Sequence, residues 1–129
     1  MTTLNIHHLG LAVRDLDATT DFFTEVLGWD IVRELPDYPA RFVTNGAAFV
    51  TLWQTRANPI EFDRKANVGL HHFALRVESQ SALNDLFVKA KSHPGVRVDF
   101  APETLGSGPA QHCIFFEPGG IRMEFIWLP

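Results

Sequence analysis

Four of the chain's six histidines fall into two doublets set in matching frames, Ile6-His7-His8-Leu9-Gly10-Leu11-Ala12-Val13 and Leu70-His71-His72-Phe73-Ala74-Leu75-Arg76-Val77. Neutral imidazole is a common ligand for divalent transition metals, so paired frames of this kind raise the question of a metal site. Both segments alternate as strands do, which places only one histidine of each doublet on the face of the small residues. His8 shares its face with Gly10 and Ala12, and His72 shares its face with Ala74. His7 and His71 alternate with the bulky apolar residues and are expected to pack against helices. A third donor is offered by Glu124, an acid inside the mostly apolar run Ile121 to Trp127. An isolated carboxylate is costly to bury, so in such a strand it should be paired, protonated or bound to a metal. Two imidazoles and one carboxylate make a three-ligand facial set that leaves positions open for substrate, oxygen or water. Iron(II), manganese(II), zinc and nickel all suit that set, and affinity order alone does not choose among them. Each residue taken singly has a plainer reading. A strand histidine is more often a hydrogen-bonded structural residue, and Glu124 alone could face Arg122 or solvent. The equivalence of His8 and His72 within a repeat is what favours ligation.

The elements that must position these groups follow from the pattern. Residues 5 to 13 read as a strand. Asp15 or Asp17 can cap a short helix that carries Phe22, Phe23, Val26 and Leu27 at helical spacing and stops at Gly28. An apolar stretch from Trp29 to Leu35, a segment from Arg41 to Thr44 and a run from Ala47 to Thr55 then read as strands. Asn45-Gly46 supplies a hairpin turn between the last two. Residues 56 to 67 are polar and irregular and read as a linker. The order then repeats, with a strand from Leu70 to Val77 and a helix capped by Ser79 or Ser81 that runs through Lys91. Strands at Val96 to Ala101, Gln111 to Glu117 and Ile121 to Leu128 follow, the last two joined at Pro118-Gly119-Gly120. The expected fold is α+β, two tandem βαβββ modules with pseudo-twofold symmetry. Module 1 spans about 4–56, the linker about 57–68 and module 2 about 69–129, within a single domain covering 1–129. Halves of that size bury too little surface to be comfortable alone, so they should fold together or swap between chains.

Composition narrows the partners. The chain has 129 residues, 46% of them hydrophobic, enough for one domain with a real core. A formal charge of −4 with 11 scattered basic residues gives no stripe for tracking phosphates, and nucleic acid is not expected as a partner. One cysteine, Cys113, permits no internal disulfide. No signal-like start and no membrane-length apolar run is present, so the expected location is cytoplasmic with no membrane partner.

Beyond these readings the chain resembles the vicinal oxygen chelate superfamily, which includes glyoxalase I, extradiol dioxygenases, fosfomycin-resistance proteins, methylmalonyl-CoA epimerase and bleomycin-resistance proteins. The resemblance is carried by His8-Leu9-Gly10-Leu11-Ala12-Val13-Arg14-Asp15-Leu16, by Phe22-Phe23 with Val26-Leu27-Gly28-Trp29, and by His72-Phe73-Ala74-Leu75-Arg76-Val77. It is completed by Phe115-Phe116-Glu117-Pro118-Gly119-Gly120-Ile121-Arg122-Met123-Glu124, which is similar to the family's Phe-x-Asp-Pro-x-Gly-x-x-x-Glu ending. It implies sheets curled around a cleft, a small-molecule substrate, a homodimer, and metal ligands at His8, His72 and Glu124. A fourth family ligand position falls on Thr51 when Phe49 to Trp53 is laid over Arg122 to Ile126. Threonine is a poor ligand, which departs from the two-His, two-Glu pattern of glyoxalase I. Gln54 is the one nearby amide, and alternation points it to the opposite face.

The remaining His, His, Glu set resembles that of extradiol dioxygenases, which makes a metal-dependent enzyme acting on a substrate with vicinal oxygens the leading expectation. The region of the dioxygenase tyrosine reads Ile114-Phe115 and the preceding Leu105 to Gly108 carries no histidine; His112 is the closest imidazole and could shuttle a proton or be an ordinary strand-start histidine. Tyr38, the sole tyrosine, lies between prolines in a loop that could close over a site. Arg76 shares the His72 face and could hold an anionic substrate or pair with Glu78. Trp53, Phe49, Phe42 and Trp127 could line an apolar pocket or belong to the core. A glyoxalase-type lyase or isomerase is the alternative, and a metal-free antibiotic-binding protein is a third reading from a different class.

Overall fold

The computed structural model describes residues 1–129. The chain divides into two compact units, Met1–Pro59 and Ile60–Pro129. Unit 1 holds β1 (Leu9–Val13), α1 (Leu16–Asp21), β2 (Asp30–Leu35), β3 (Ala40–Thr44) and β4 (Phe49–Gln54). Unit 2 holds β5 (Phe73–Val77), α2 (Gln80–Lys91), β6 (Arg97–Thr104), β7 (Gln111–Phe116) and β8 (Arg122–Trp127). Each is a βαβββ module whose four strands form one mixed sheet, ordered β1-β4-β3-β2 and β5-β8-β7-β6. In both, the first strand pairs with the last in parallel and the other pairs are antiparallel. The architecture is therefore α+β with a repeated module, as the alternation of patterns predicts.

Local chemistry explains the boundaries. Asp15, rather than Asp17, caps α1 by accepting the amide of Ala18 at 2.9 Å. The helix then widens into a π-helical turn at Phe22–Val26, where Leu27 N–H reaches back to the Phe22 carbonyl. That turn buries Phe22, Phe23 and Val26, and Gly28 ends it at φ +70°. Ser79 caps α2 by accepting from Ala82, and Leu83, Phe87 and Ala90 bury its inner face. At the Asn45-Gly46 turn Asn45 Oδ1 accepts from both Ala47 and Ala48, and Gly46 takes φ +90°.

One face of each sheet packs on its helix. Leu11, Val13, Val43, Val50 and Leu52 are buried there in unit 1, and Cys113, Phe115, Met123 and Phe125 in unit 2. Trp127 alternates onto this helix-side face, away from Glu124, so it does not line the open face of its own sheet. The strands also start later than the patterning suggests, at Leu9 and Phe73. His7 and His71 thus lie outside the pleat, and both are exposed instead of packed on a helix.

Candidate active site

The residues on the open face of unit 2 gather around Glu124. Ala74 is its register partner on β5 and Ile114 its partner on β7. Only 7% of Glu124 is exposed, so it is neither a solvated strand acid nor the partner of Arg122. His72 Nε2 lies 3.2 Å from its Oε2, and His112 Nδ1 lies 3.4 Å from its Oε1. A buried carboxylate flanked by an imidazole on each oxygen has electrostatic partners whenever either ring is protonated.

Around this centre the supporting contacts run in one direction. His72 Nδ1 is 2.7 Å from His71 Nδ1, and His71 Nδ1 is 3.4 Å from Arg122. Arg122 in turn donates through Nε and an Nη to Asp99, at 3.3 and 2.9 Å. Desolvation first, then the positive charges of Arg122, His72 and Arg64, hold His71 below the usual imidazole range. A neutral His71 can accept from His72 Nδ1–H, which directs His72 Nε2 at Glu124, as a donor when that ring is protonated and as a lone pair for a metal when it is neutral. His112 stands two residues along β7 from Ile114, its ring 4.9 Å from that of Phe100 and its Nε2 3.9 Å from Glu103. His112 Nδ1 is one of two buried side-chain polar atoms without a hydrogen bond, the other being Thr55 Oγ1.

Unit 1 carries the same scaffold with different chemistry. Thr51 pairs with Gly10 as Glu124 pairs with Ala74, which places Thr51 at the position equivalent to Glu124. Its hydroxyl accepts from Trp53 Nε1 at 2.9 Å. A Cβ on Gly10 would lie 3.2 Å from Thr51 Oγ1, so glycine leaves that hydroxyl its room. Tyr38 is 60% exposed and meets the Trp53 ring edge-on at 5.0 Å. Phe42 packs between Phe49 and Trp53, and His8 lies 6.3 Å from the Phe49 ring with its Nδ1 2.8 Å from His7 Nδ1. Gln54 is not a spare donor, because its amide serves Leu16 N–H and the carbonyls of Arg14 and Thr55.

The structure therefore brings His72, Glu124 and His112 together in unit 2, while His8, Thr51, Trp53, Phe49 and Tyr38 belong to unit 1. Arg76 is exposed on the Glu124 side of β5 with no ion pair to Glu78. No three His, Cys, Asp or Glu side chains converge tightly enough to enclose an ion. The donor pair His72 Nε2 and Glu124 Oε2 does suit adjacent positions on one metal, since cis ligands at about 2.1 Å lie ~3.0 Å apart. Pattern reading missed the Asp99–Arg122–His71 chain. Arg122 alternates onto the Glu124 face, which is the one signal that could have shown it.

Two βαβββ modules, with an imidazole-flanked acid on the open face of the second, define an α+β class of repeated modules. Residues 5–125 match the sequence model of the Glyoxalase/Bleomycin resistance protein/Dioxygenase superfamily, and the chain belongs to that family. A 2-epi-5-epi-valiolone epimerase from Actinomyces sp. is 28% identical over 148 residues, covering 96% of this chain and 79% of that protein. The crystal structure of a glyoxylase/bleomycin resistance protein/dioxygenase domain from Frankia sp. superposes with a TM-score of 0.83 at 24% identity, covering 99% of this chain and 100% of that one. The fosfomycin resistance protein FosX from Listeria monocytogenes superposes with a TM-score of 0.77 at 16% identity, covering 99% and 96%.

Proposed function

We propose that this protein is a divalent-metal-dependent isomerase of epimerase type, which moves a proton at a carbon beside a carbonyl in a small substrate with vicinal oxygens. The observation that carries this reading is the buried Glu124 carboxylate with His72 and His112 on its two oxygens. Support comes also from the epimerase relative, which aligns with nearly the whole chain.

In this reading His72, Glu124 and His8 would hold the metal. The protein works as a homodimer in this reading. When bound, a divalent ion supplies Lewis-acid polarisation of the substrate's oxygens. His71 keeps His72 in the tautomer whose Nε2 is free. His112 carries the proton: a hydrogen on its Nδ1 faces Glu124 Oε1, which leaves Nε2 as the accepting atom. Trp53, Phe49 and Tyr38 give the apolar wall, and Arg76 holds a negatively charged or strongly polar end of the substrate.

A second reading, an extradiol-dioxygenase-like reaction with iron(II), is favoured by Thr51, which leaves a three-ligand set without a fourth carboxylate. Ile114 on the Glu124 face speaks against it, because no phenol stands there to assist proton transfer. The test is exchange of substrate C–H for deuterium in heavy water, with hydroxylated ketones and each of iron(II), manganese(II), zinc and nickel. Exchange under anaerobic conditions, lost in His112→Gln and Glu124→Gln, is the expected result. Dioxygen uptake on catechols with no such exchange would replace the isomerase with the second reading.

A further inference from the structure

Unit 2 carries a cleft of about 540 Å³ that the Glu124 centre does not account for. Its polar wall consists of the carboxylates of Glu61, Asp63 and Asp99 and the guanidiniums of Arg64 and Arg97. Two rings, Phe62 and Phe116, complete it. The Arg97 guanidinium lies 4.0 Å above the centre of Phe116, and the half-exposed Phe62 ring rests on Gly69, where a Cβ would come within 2.9 Å and push it aside.

Most of the charges are already matched. Arg97 lies 3.7 Å from Glu61, and Asp99 is bound by Arg122 at the inner end. Three carboxylates thus face three guanidiniums when Arg122 is included, and the cleft has no net charge with which to attract an ion. What it does offer is a dense set of acceptors and donors over two flat apolar rings, the complement of a molecule with many hydroxyls and exposed C–H faces. Arg122 ties the cleft to the Glu124 centre. It precedes Glu124 by two residues on the same face of β8, about 6.7 Å along a strand.

We infer that this cleft binds the uncharged, hydroxyl-rich part of the substrate, so that the substrate is a polyhydroxylated carbonyl compound whose reacting carbon lies at Glu124. The inference rests on the isomerase reading for the reacting end only. Its test uses chelator-treated protein, so that metal plays no part: amide shifts are followed by NMR while myo-inositol is added, with inorganic phosphate in a parallel titration. Saturable millimolar shifts centred on residues 61–64, 97–99 and 116 are expected with inositol and not with phosphate. Arg64→Ala with Glu61→Ala, both in a loop, should weaken inositol roughly tenfold, the loss of one or two polar contacts. Absence of saturable shifts, tighter binding of phosphate, or inositol binding untouched by the double variant would each overturn the proposal. Glu124→Gln should retain inositol binding. Binding without deuterium exchange on any hydroxylated ketone leaves the cleft standing and removes the isomerase. Exchange confined to ketones without hydroxyls does the reverse.

Discussion

The centres of β4 and β8 occupy the same place in two copies of one scaffold, yet one is built for packing and the other for ionisation. In β4, Thr51 is 4% exposed and spends its hydroxyl on Trp53. In β8, Glu124 is almost as buried and faces two imidazoles. The residue two places earlier differs in the same sense: Phe49 beside His8 in unit 1, Arg122 beside His71 in unit 2. The two modules thus share backbone register and helix-side packing while their open faces differ. One became an aromatic surface, the other a polar one.

The largest effect should come from removing the ionisable side of that contrast. Glu124→Gln keeps shape and hydrogen bonding but not the charge, and should weaken divalent-metal binding by ~100-fold or more, beyond the loss of an outer-shell partner. Stability should hold or rise, because a desolvated carboxylate is removed. Metal titration by calorimetry beside thermal unfolding separates the two. Unchanged metal affinity with a sharp fall in melting temperature would make Glu124 a structural acid. Next in size is Thr51→Glu, which copies unit 2 into unit 1. It overfills a buried site and replaces the hydroxyl beside Trp53 with a desolvated carboxylate, so the metal-free protein should lose about 1–3 kcal/mol. Urea unfolding with and without zinc checks whether metal narrows that deficit, as a fourth donor near His8 would. No difference between the two curves would show that this surface never meets the ion.

How far the residues announced these features depends on whether the signal was local. The Asn45-Gly46 hairpin, the Ser79 cap and the repeat of modules rest on short-range chemistry and were readable. Glu124 was readable because an acid in an apolar strand demands a reason. The exposure of His7 and His71 was not, since alternation applies only inside a strand and these strands begin two residues further on. Nor was the Arg122–Asp99 pair, which depends on the irregular register between β6 and β7. The cleft was hidden for another reason. Residues 61–64 sit in a segment whose polar composition reads as linker, and only folding lays it beside Arg97 and Phe116.

A smaller effect probes the two small residues opposite these centres. Gly10→Ala places a methyl 3.2 Å from a hydroxyl already tied to Trp53, and should cost about 1 kcal/mol by mild overpacking. Ala74→Gly, its counterpart, should cost a similar 0.5–1 kcal/mol, roughly, but through the entropy of the unfolded chain. Equilibrium urea unfolding reports both, and a crystal structure of the alanine variant tells the mechanisms apart by the position of Thr51. If Gly10→Ala is stabilising, the approach is looser than the geometry says and the asymmetry of the two faces does not extend to this pair.

The helix-side faces hold one further contrast, with the least effect under ordinary conditions. Arg41 pairs with Leu52 in unit 1 where Cys113 pairs with Phe125 in unit 2. Arg41 is anchored by Asp17 on α1 and Glu34 on β2, and the Asp17 hydrogen bond foremost keeps its guanidinium charged. Cys113 is fully buried, and burial pushes its thiol from an ordinary 9.0 up to about 11, with the Glu124 charge adding to the rise. The folded state therefore holds this proton more tightly than the unfolded chain. Its contribution to stability is complete below pH 9 and is lost as pH rises toward 11. At pH 8 the thiolate fraction is negligible and the sulfur inaccessible, so a thiol reagent such as DTNB should not react until the protein unfolds. Reaction at the rate of a free thiol in the native protein would mean that β7 opens on its helix side. The buried face of unit 2 would then be less firmly packed than that of unit 1, and the divergence would reach both sides of the sheet.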